Sequence, residues 1–149
     1  MLISRRGVLA AGAGLAGLAM LPVAVRAQDA AAAAPAQTAD EMIAEFTGGA
    51  QVAEGDGVKL TAPEIAENGN TVPISVEAPG AAEILLIATQ NPTPGVARFS
   101  FGPLAASQDA ATRIRLAKTQ DIVAIAKLAD GSFVRTAANV KVTIGGCGG

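Results

Sequence analysis

Residues 112–118 read Thr112-Arg113-Ile114-Arg115-Leu116-Ala117-Lys118, so Ile114 and Leu116 alternate with Arg113 and Arg115. Successive side chains of an extended strand point to opposite faces, and a period of two therefore predicts a strand with one buried and one wet face. The same alternation recurs in Arg98-Phe99-Ser100-Phe101 and in Val140-Lys141-Val142-Thr143-Ile144. Turn-forming residues punctuate these runs every 8 to 12 residues or so: Glu67-Asn68-Gly69-Asn70, Ala78-Pro79-Gly80, Asn91-Pro92-Thr93-Pro94-Gly95, Gly102-Pro103 and Ala129-Asp130-Gly131-Ser132. Seven strands are predicted, over 58–61, 71–77, 84–90, 96–101, 112–118, 122–128 and 133–144, the last with a weak point at Ala137-Ala138-Asn139. Short connections leave no room for crossover helices. The expectation is an all-β fold, an immunoglobulin-like antiparallel β-sandwich lacking the usual Cys pair and Trp, in which every strand keeps one wet face.

Upstream of the strands the pattern changes. Residues 38–46 carry Asp40, Glu41 and Glu45 with Met42, Ile43 and Phe46 to one side, which predicts a short N-terminal helix capped near Thr38 and stopped by Gly48-Gly49. Residues 28–37 are Ala-rich and read as a leader. Residues 1–27 place Arg5-Arg6 before an uncharged run from Gly7 to Val25 that ends in Val25-Arg26-Ala27, the pattern of a twin-arginine signal peptide with a small-residue cleavage site. The competing reading, a membrane anchor, is disfavoured by Gly12, Gly14, Gly17 and Pro22 within the run, so no stable membrane association is expected. Cleavage after Ala27 removes three of the 11 basic residues and none of the 13 acidic ones, which moves the net charge from −2 to −5. The expected organisation is a signal peptide at 1–27, a leader at 28–37, the helix and sandwich at 38–144 and a tail at 145–149.

Composition excludes much chemistry. The 149 residues contain no histidine and one cysteine, so a Ser-His-Asp triad, a Cys-His dyad, a Cys/His zinc site, a haem motif and an iron–sulfur cluster are all impossible within the chain. No metal or cofactor is expected. Aromatic residues make up 3% of the chain, with neither Trp nor Tyr, which removes the stacking platforms of single-stranded nucleic acid and sugar sites. Together with the acidic balance this argues against a nucleic-acid partner. Asp56 and the Asn68/Asn70 turn lack the ligand number of a calcium loop and are explained by turn chemistry.

The chemistry concentrates at Ile144-Gly145-Gly146-Cys147-Gly148-Gly149. Four glycines around one thiol contribute nothing to a core. Glycine loses the most conformational entropy on ordering, and a segment without side chains is as thin as a polypeptide can be. Gly145, Gly146, Gly148 and Gly149 therefore read as a flexible arm that reaches about 16–18 Å and can enter a narrow pocket. No Lys or Arg lies within it, and Lys141 is six residues from Cys147, so nothing nearby in sequence depresses the thiol pKa. At an ordinary pKa near 8.5 about 3% of the thiol is ionised at pH 7, and activation is expected from whatever pocket receives the arm. Such an arm suits a covalent carrier rather than an enzyme, because tethering raises the effective concentration of a passenger at successive sites.

From about Thr38 to Gly149 the chain resembles the SoxY family, sulfur-carrier subunits of the bacterial thiosulfate-oxidising Sox system. The resemblance is carried by Glu67-Asn68-Gly69-Asn70-Thr71-Val72-Pro73, by Asn91-Pro92, by 112–120 and, most specifically, by Gly-Gly-Cys-Gly-Gly at 145–149. It implies a periplasmic carrier that pairs with a SoxZ-like β-sandwich subunit as a heterodimer, with Cys147 as the covalent sulfur attachment site and Gly145, Gly146, Gly148 and Gly149 as its swinging arm. It implies three further partners: a c-type cytochrome complex that joins thiosulfate to the thiol, a thiosulfohydrolase that releases sulfate, and a sulfur dehydrogenase. The alternative is an exported β-sandwich interaction module whose thiol exchanges disulfides or links two copies. Disulfide exchange lacks a C-x-x-C resolving cysteine, and a linking thiol would make the protein uniformly dimeric without reductant.

Overall fold

The computed structural model describes residues 37–145, so the expected signal peptide, nearly all of the leader, and Gly146, Cys147, Gly148 and Gly149 lie outside the described residues. One helix, α1 (Ala39–Thr47), precedes nine strands: β1 (Val52–Glu54), β2 (Lys59–Thr61), β3 (Ile65–Ala66), β4 (Val72–Glu77), β5 (Ala81–Ala88), β6 (Gly95–Ser100), β7 (Asp109–Ile114), β8 (Gln120–Leu128) and β9 (Phe133–Val142). One sheet runs β1-β9-β8-β5-β6, with β3 also paired to β9, and the other runs β2-β4-β7. The all-β sandwich holds.

Alternate residues of facing strands fill the space between the sheets. Val72, Ile74 and Val76 of β4 and Ile114 of β7 meet Ile84 and Leu86 of β5, Ile122, Ala124 and Ala126 of β8, and Val140 of β9. Each large aliphatic fully buried here contributes about 1.5–3 kcal/mol relative to exposure. Isoleucine, valine and alanine fill the layer, as the scarcity of aromatic residues requires.

The structure corrects the expectation that each strand has a wet face. Ile84–Ala88 and Ile122–Ala126 are buried without interruption because α1 lies over the outer face of the larger sheet. Met42, Ile43 and Phe46 pack on Leu85, Ile87, Val123, Ile125 and Phe133, and the Phe46 and Phe133 rings meet edge to face with centroids 5.7 Å apart. The helix begins and ends as its sequence requires. Thr38 Oγ1 accepts from the Glu41 amide, the Glu41 carboxylate accepts from the Thr38 amide, and Gly48 closes the other end in the left-handed region at φ 62°.

Two pairings are parallel rather than antiparallel: β1 with β9 and β3 with β9. β1 and β3, of three and two residues, carry too little alternation to be read from sequence, and both pair with β9, whose ten residues offer a long free edge. β9 is also unbroken, with Ala137 opposite Val123 and Asn139 opposite Asp121. β7 stops at Ile114 although the alternation continues through Leu116, because the Asn91 side chain takes the Arg115 carbonyl and the Ala117 amide.

Candidate functional site

Strand β9 leads directly into the glycine–cysteine segment, and the last described residues are tied to the sandwich one by one. The Val142 amide donates to Thr119 Oγ1 at 3.0 Å, the Thr143 amide to Ala66 O at 3.0 Å, and Thr143 Oγ1 to Glu67 O at 2.9 Å. Ile144 O accepts from the Gly69 amide at 2.8 Å, and Gly69 O accepts from the Leu116 amide at 2.8 Å. The turn 67–70 thereby stands between the tail and the segment after β7. Its own shape comes from Asn68, whose Oδ1 accepts from the Asn70 amide at 2.9 Å, an Asx turn.

Gly145 then rests against Ala117. A Cβ at residue 145 would overlap the Ala117 carbonyl oxygen, and the obstacle is backbone rather than a movable side-chain end. Gly145 is exposed, yet one side of it abuts backbone. This separates it from the picture of four equivalent arm glycines, since the requirement for glycine at 145 is met by close approach.

Two amides hold the segment that Gly145 touches. Asn91 Nδ2 donates to Arg115 O at 2.7 Å, while Asn91 Oδ1 accepts from the Ala117 amide at 3.0 Å and from Gln120 Nε2 at 2.8 Å. Gln120 Nε2 also donates to Lys118 O at 3.2 Å, and Gln120 Oε1 accepts from the Gln90 amide at 2.8 Å. These bonds replace the ladder that β7 gives up after Ile114. Gln120 is 1% exposed, and among the described residues no buried side-chain polar atom lacks a partner. A satisfied buried network of this kind specifies one arrangement, because each lost partner strands a desolvated group.

The surroundings are cationic. Arg113, Arg115, Lys118 and Lys141 are exposed, and Arg113 and Arg115 border a shallow depression of about 230 Å³ with Asn91, Pro92 and Thr93. The ion pairs among the described residues lie elsewhere, at Arg98–Glu83 and Arg135–Glu54. Folding thus brings Lys118 beside the root of the tail, a proximity that sequence spacing hides. Among the described residues no three His, Cys, Asp or Glu side chains group as metal ligands. None of their helices is long and apolar enough to cross a membrane.

Of the residues expected to carry function, only Gly145 falls within the described region; Gly146, Cys147, Gly148 and Gly149 lie outside it. Asn91, Gln120, Thr119 and Gly69 were not foreseen as supports of the site. Asn91-Pro92 reads as a turn and Gln120 falls in the connection between the strands expected over 112–118 and 122–128, and only the contacts show that both side chains turn toward the 115–118 segment.

Comparison with known proteins gives this geometry its context. The profile of the family described as sulfur oxidation protein SoxY matches residues 43–147. The chain belongs to the SoxY family. Among solved structures it is similar to the sulfur carrier protein SoxY from Chlorobium limicola f thiosulfatophilum, with 36% identity over 70% of this chain and 96% of that one and a TM-score of 0.63. A superoxide reductase (neelaredoxin) from Ignicoccus hospitalis aligns at 20% identity over 58% of this chain and 80% of that one, with a TM-score of 0.52. That second likeness is one of fold alone. A search of curated proteins finds no match. Membership in SoxY makes the chain one of a family of sulfur carriers, which act within the Sox system.

Proposed function

We propose that this protein is a periplasmic carrier that binds intermediates of thiosulfate and sulfur oxidation covalently on Cys147 and presents them to Sox enzymes. The single observation that carries the reading is SoxY family membership across residues 43–147, a match that extends to the cysteine itself. Supporting it, the only thiol of the chain stands among glycines immediately after a strand whose end is anchored at the surface.

The carrier does no chemistry alone. In the loading step the Cys147 sulfur forms a bond to the sulfane sulfur of thiosulfate, releasing the thiol proton and two electrons, which a c-type cytochrome complex accepts. Hydrolysis by a thiosulfohydrolase then adds water across the terminal S–S bond, releasing sulfate and leaving a persulfide on Cys147. A sulfur dehydrogenase removes six electrons from that remaining sulfur to a cytochrome-type acceptor while three water molecules supply its oxygens, and a second hydrolysis releases sulfate and restores the Cys147 thiol. Between steps the arm carries the adduct, and a SoxZ-like subunit completes the heterodimer that the enzymes meet. Export through the twin-arginine route in the folded state suits a subunit that assembles with its partner before crossing.

Intact-mass spectrometry of the exported protein tests this. Adducts with the mass of sulfur or of a thiosulfonate, lost on reduction and absent from Cys147→Ser, are expected. A uniformly disulfide-linked dimer without such adducts would favour the linking-thiol alternative.

A further inference from the structure

We infer that Arg115–Lys118 form a seat that fixes where the glycine–cysteine segment leaves the sandwich, with Asn91 and Gln120 as the positioning residues of that seat. The inference deepens the carrier reading and rests on it. It starts from Gly145, which has no space for a Cβ because the Ala117 carbonyl occupies it. Any movement of Ala117 therefore moves the point from which the tail departs.

Ala117 lies outside the ladder of β7, yet the segment is held at four successive residues. Arg115 O, the Ala117 amide and Lys118 O are bound by the side chains of Asn91 and Gln120, and the Leu116 amide is bound by Gly69 O. Two of those three groups, Arg115 O and the Ala117 amide, converge on one side chain. Position 120 opens a strand in which, after the exposed Asp121, Ile122, Val123 and Ala124 are buried, and an aliphatic residue at 120 would be buried at lower desolvation cost. A buried glutamine is instead kept, and its hydrogen bonds run to Gln90, Asn91 and Lys118, all around the seat. Its evident work is positional.

The consequence concerns the thiol. Residue 147 is two residues beyond Gly145, and two residues of chain span at most about 7 Å, so the root at Gly145 is the origin from which the thiol reaches. A fixed root sets the centre of the volume the thiol can sweep, and that volume sets its effective concentration at a docked enzyme. A shifted root moves that volume, and misplacement by about 1 Å can cost as much as a hundredfold in a positioned reaction.

The test uses the full mature chain with its partner subunit. A spin label on Cys147 is paired with one on Glu77→Cys, which sits at the far end of β4 from Val72, about 17 Å along the strand. Gly145→Ala and Asn91→Ala are expected to shift or broaden the distance distribution, with Asn91→Asp, which keeps both acceptor bonds, lying between. In the same variants without Glu77→Cys, enzymatic loading of Cys147 should fall about tenfold while its alkylation by iodoacetamide stays within twofold of the parent. Gly145→Ala disturbs no core residue, so it decides the matter even if Asn91→Ala fails to fold. An unchanged distance distribution in folded Gly145→Ala overturns the seat. So does a changed distribution with normal loading. A parent protein that never takes up sulfur would instead overturn the carrier reading, with the distance measurement still reporting on the seat.

Discussion

Leu86 and Ile87 are neighbours on β5 and both fully buried, yet they belong to different cores. Leu86 faces the second sheet, and Ile87 lies beneath α1 with Phe46, Met42 and Ile43. The helix is thus a third layer over the centre of the larger sheet.

This division predicts how mutations combine. Leu86→Ala should cost about 2–5 kcal/mol, and Ile87→Ala a similar amount. Phe46→Ala, at a half-buried ring, should cost less. The costs of Phe46→Ala and Leu86→Ala are expected to add within about 0.5 kcal/mol, whereas Phe46→Ala with Ile87→Ala should deviate by about 0.5 kcal/mol or more, since those two share a cluster. Urea unfolding of the single and double variants measures both sums. Equal additivity in the two pairs would show that the outer layer is not a cooperative part of the domain.

The helix cap predicts a pH dependence. The Thr38 amide, and secondarily the Thr38 hydroxyl, holds the Glu41 carboxyl below its ordinary value of 4.5. A depressed folded-state pKa contributes stability that is fully present above the unfolded value and is lost as pH falls through the folded one. Glu41→Ala should therefore lower stability at pH 7 and do so less at pH 3, where the bond from the Thr38 amide to the carboxylate is already weakened in the parent. Thermal unfolding of both proteins at the two pH values is the check, and a penalty that grows on acidification would contradict the assignment.

How much of this could be read beforehand follows from which interactions are local. The helix was legible because its cap, its charges and its terminating glycines are all within a few residues of one another, and the strands were legible because alternation is local too. Burial of β5 and β8 on both faces depends on a helix placed 34 residues or more earlier in the chain, from Thr47 to Ala81 and beyond. The continuous runs Ile84-Leu85-Leu86-Ile87 and Ile122-Val123-Ala124-Ile125 did carry that signal, since strands covered on both faces lose their alternation. The supports of the tail were not legible at all. Asn91, Gln120 and Gly145 are distant in sequence, and a glycine excluded from bearing a Cβ by Ala117 looks the same on paper as one that keeps an arm thin.

Association gives a third prediction. The β2-β4-β7 sheet presents a broad shallow depression of about 670 Å³ lined by Pro63, Pro73, Ser75, Ala111 and Arg113, a surface of small side chains with little charge. The mature chain expressed alone is expected to self-associate or to be unstable. Co-expression with a SoxZ-like subunit should yield a one-to-one heterodimer by sedimentation. A well-behaved monomer that ignores the co-expressed subunit would count against the heterodimer.

The last prediction separates thinness of the arm from reactivity of its thiol. Gly146→Val or Gly148→Val adds a branched side chain on one side of Cys147 and restricts the backbone there. A small alkylating reagent approaches an exposed thiol from any direction, so its rate should change by less than about twofold. A receiving channel must admit the backbone on both sides of the thiol, so enzymatic loading should slow by tenfold or so, with thermal stability unchanged because a glycine has no side chain to bury. The two rates, measured on one variant, distinguish the causes. Equal slowing of both would locate the effect in the intrinsic chemistry of the thiol, and no slowing of either would remove the reason for glycine at 146 and 148, leaving Gly145, whose Cβ position the Ala117 carbonyl blocks, as the one with a shown need to be glycine.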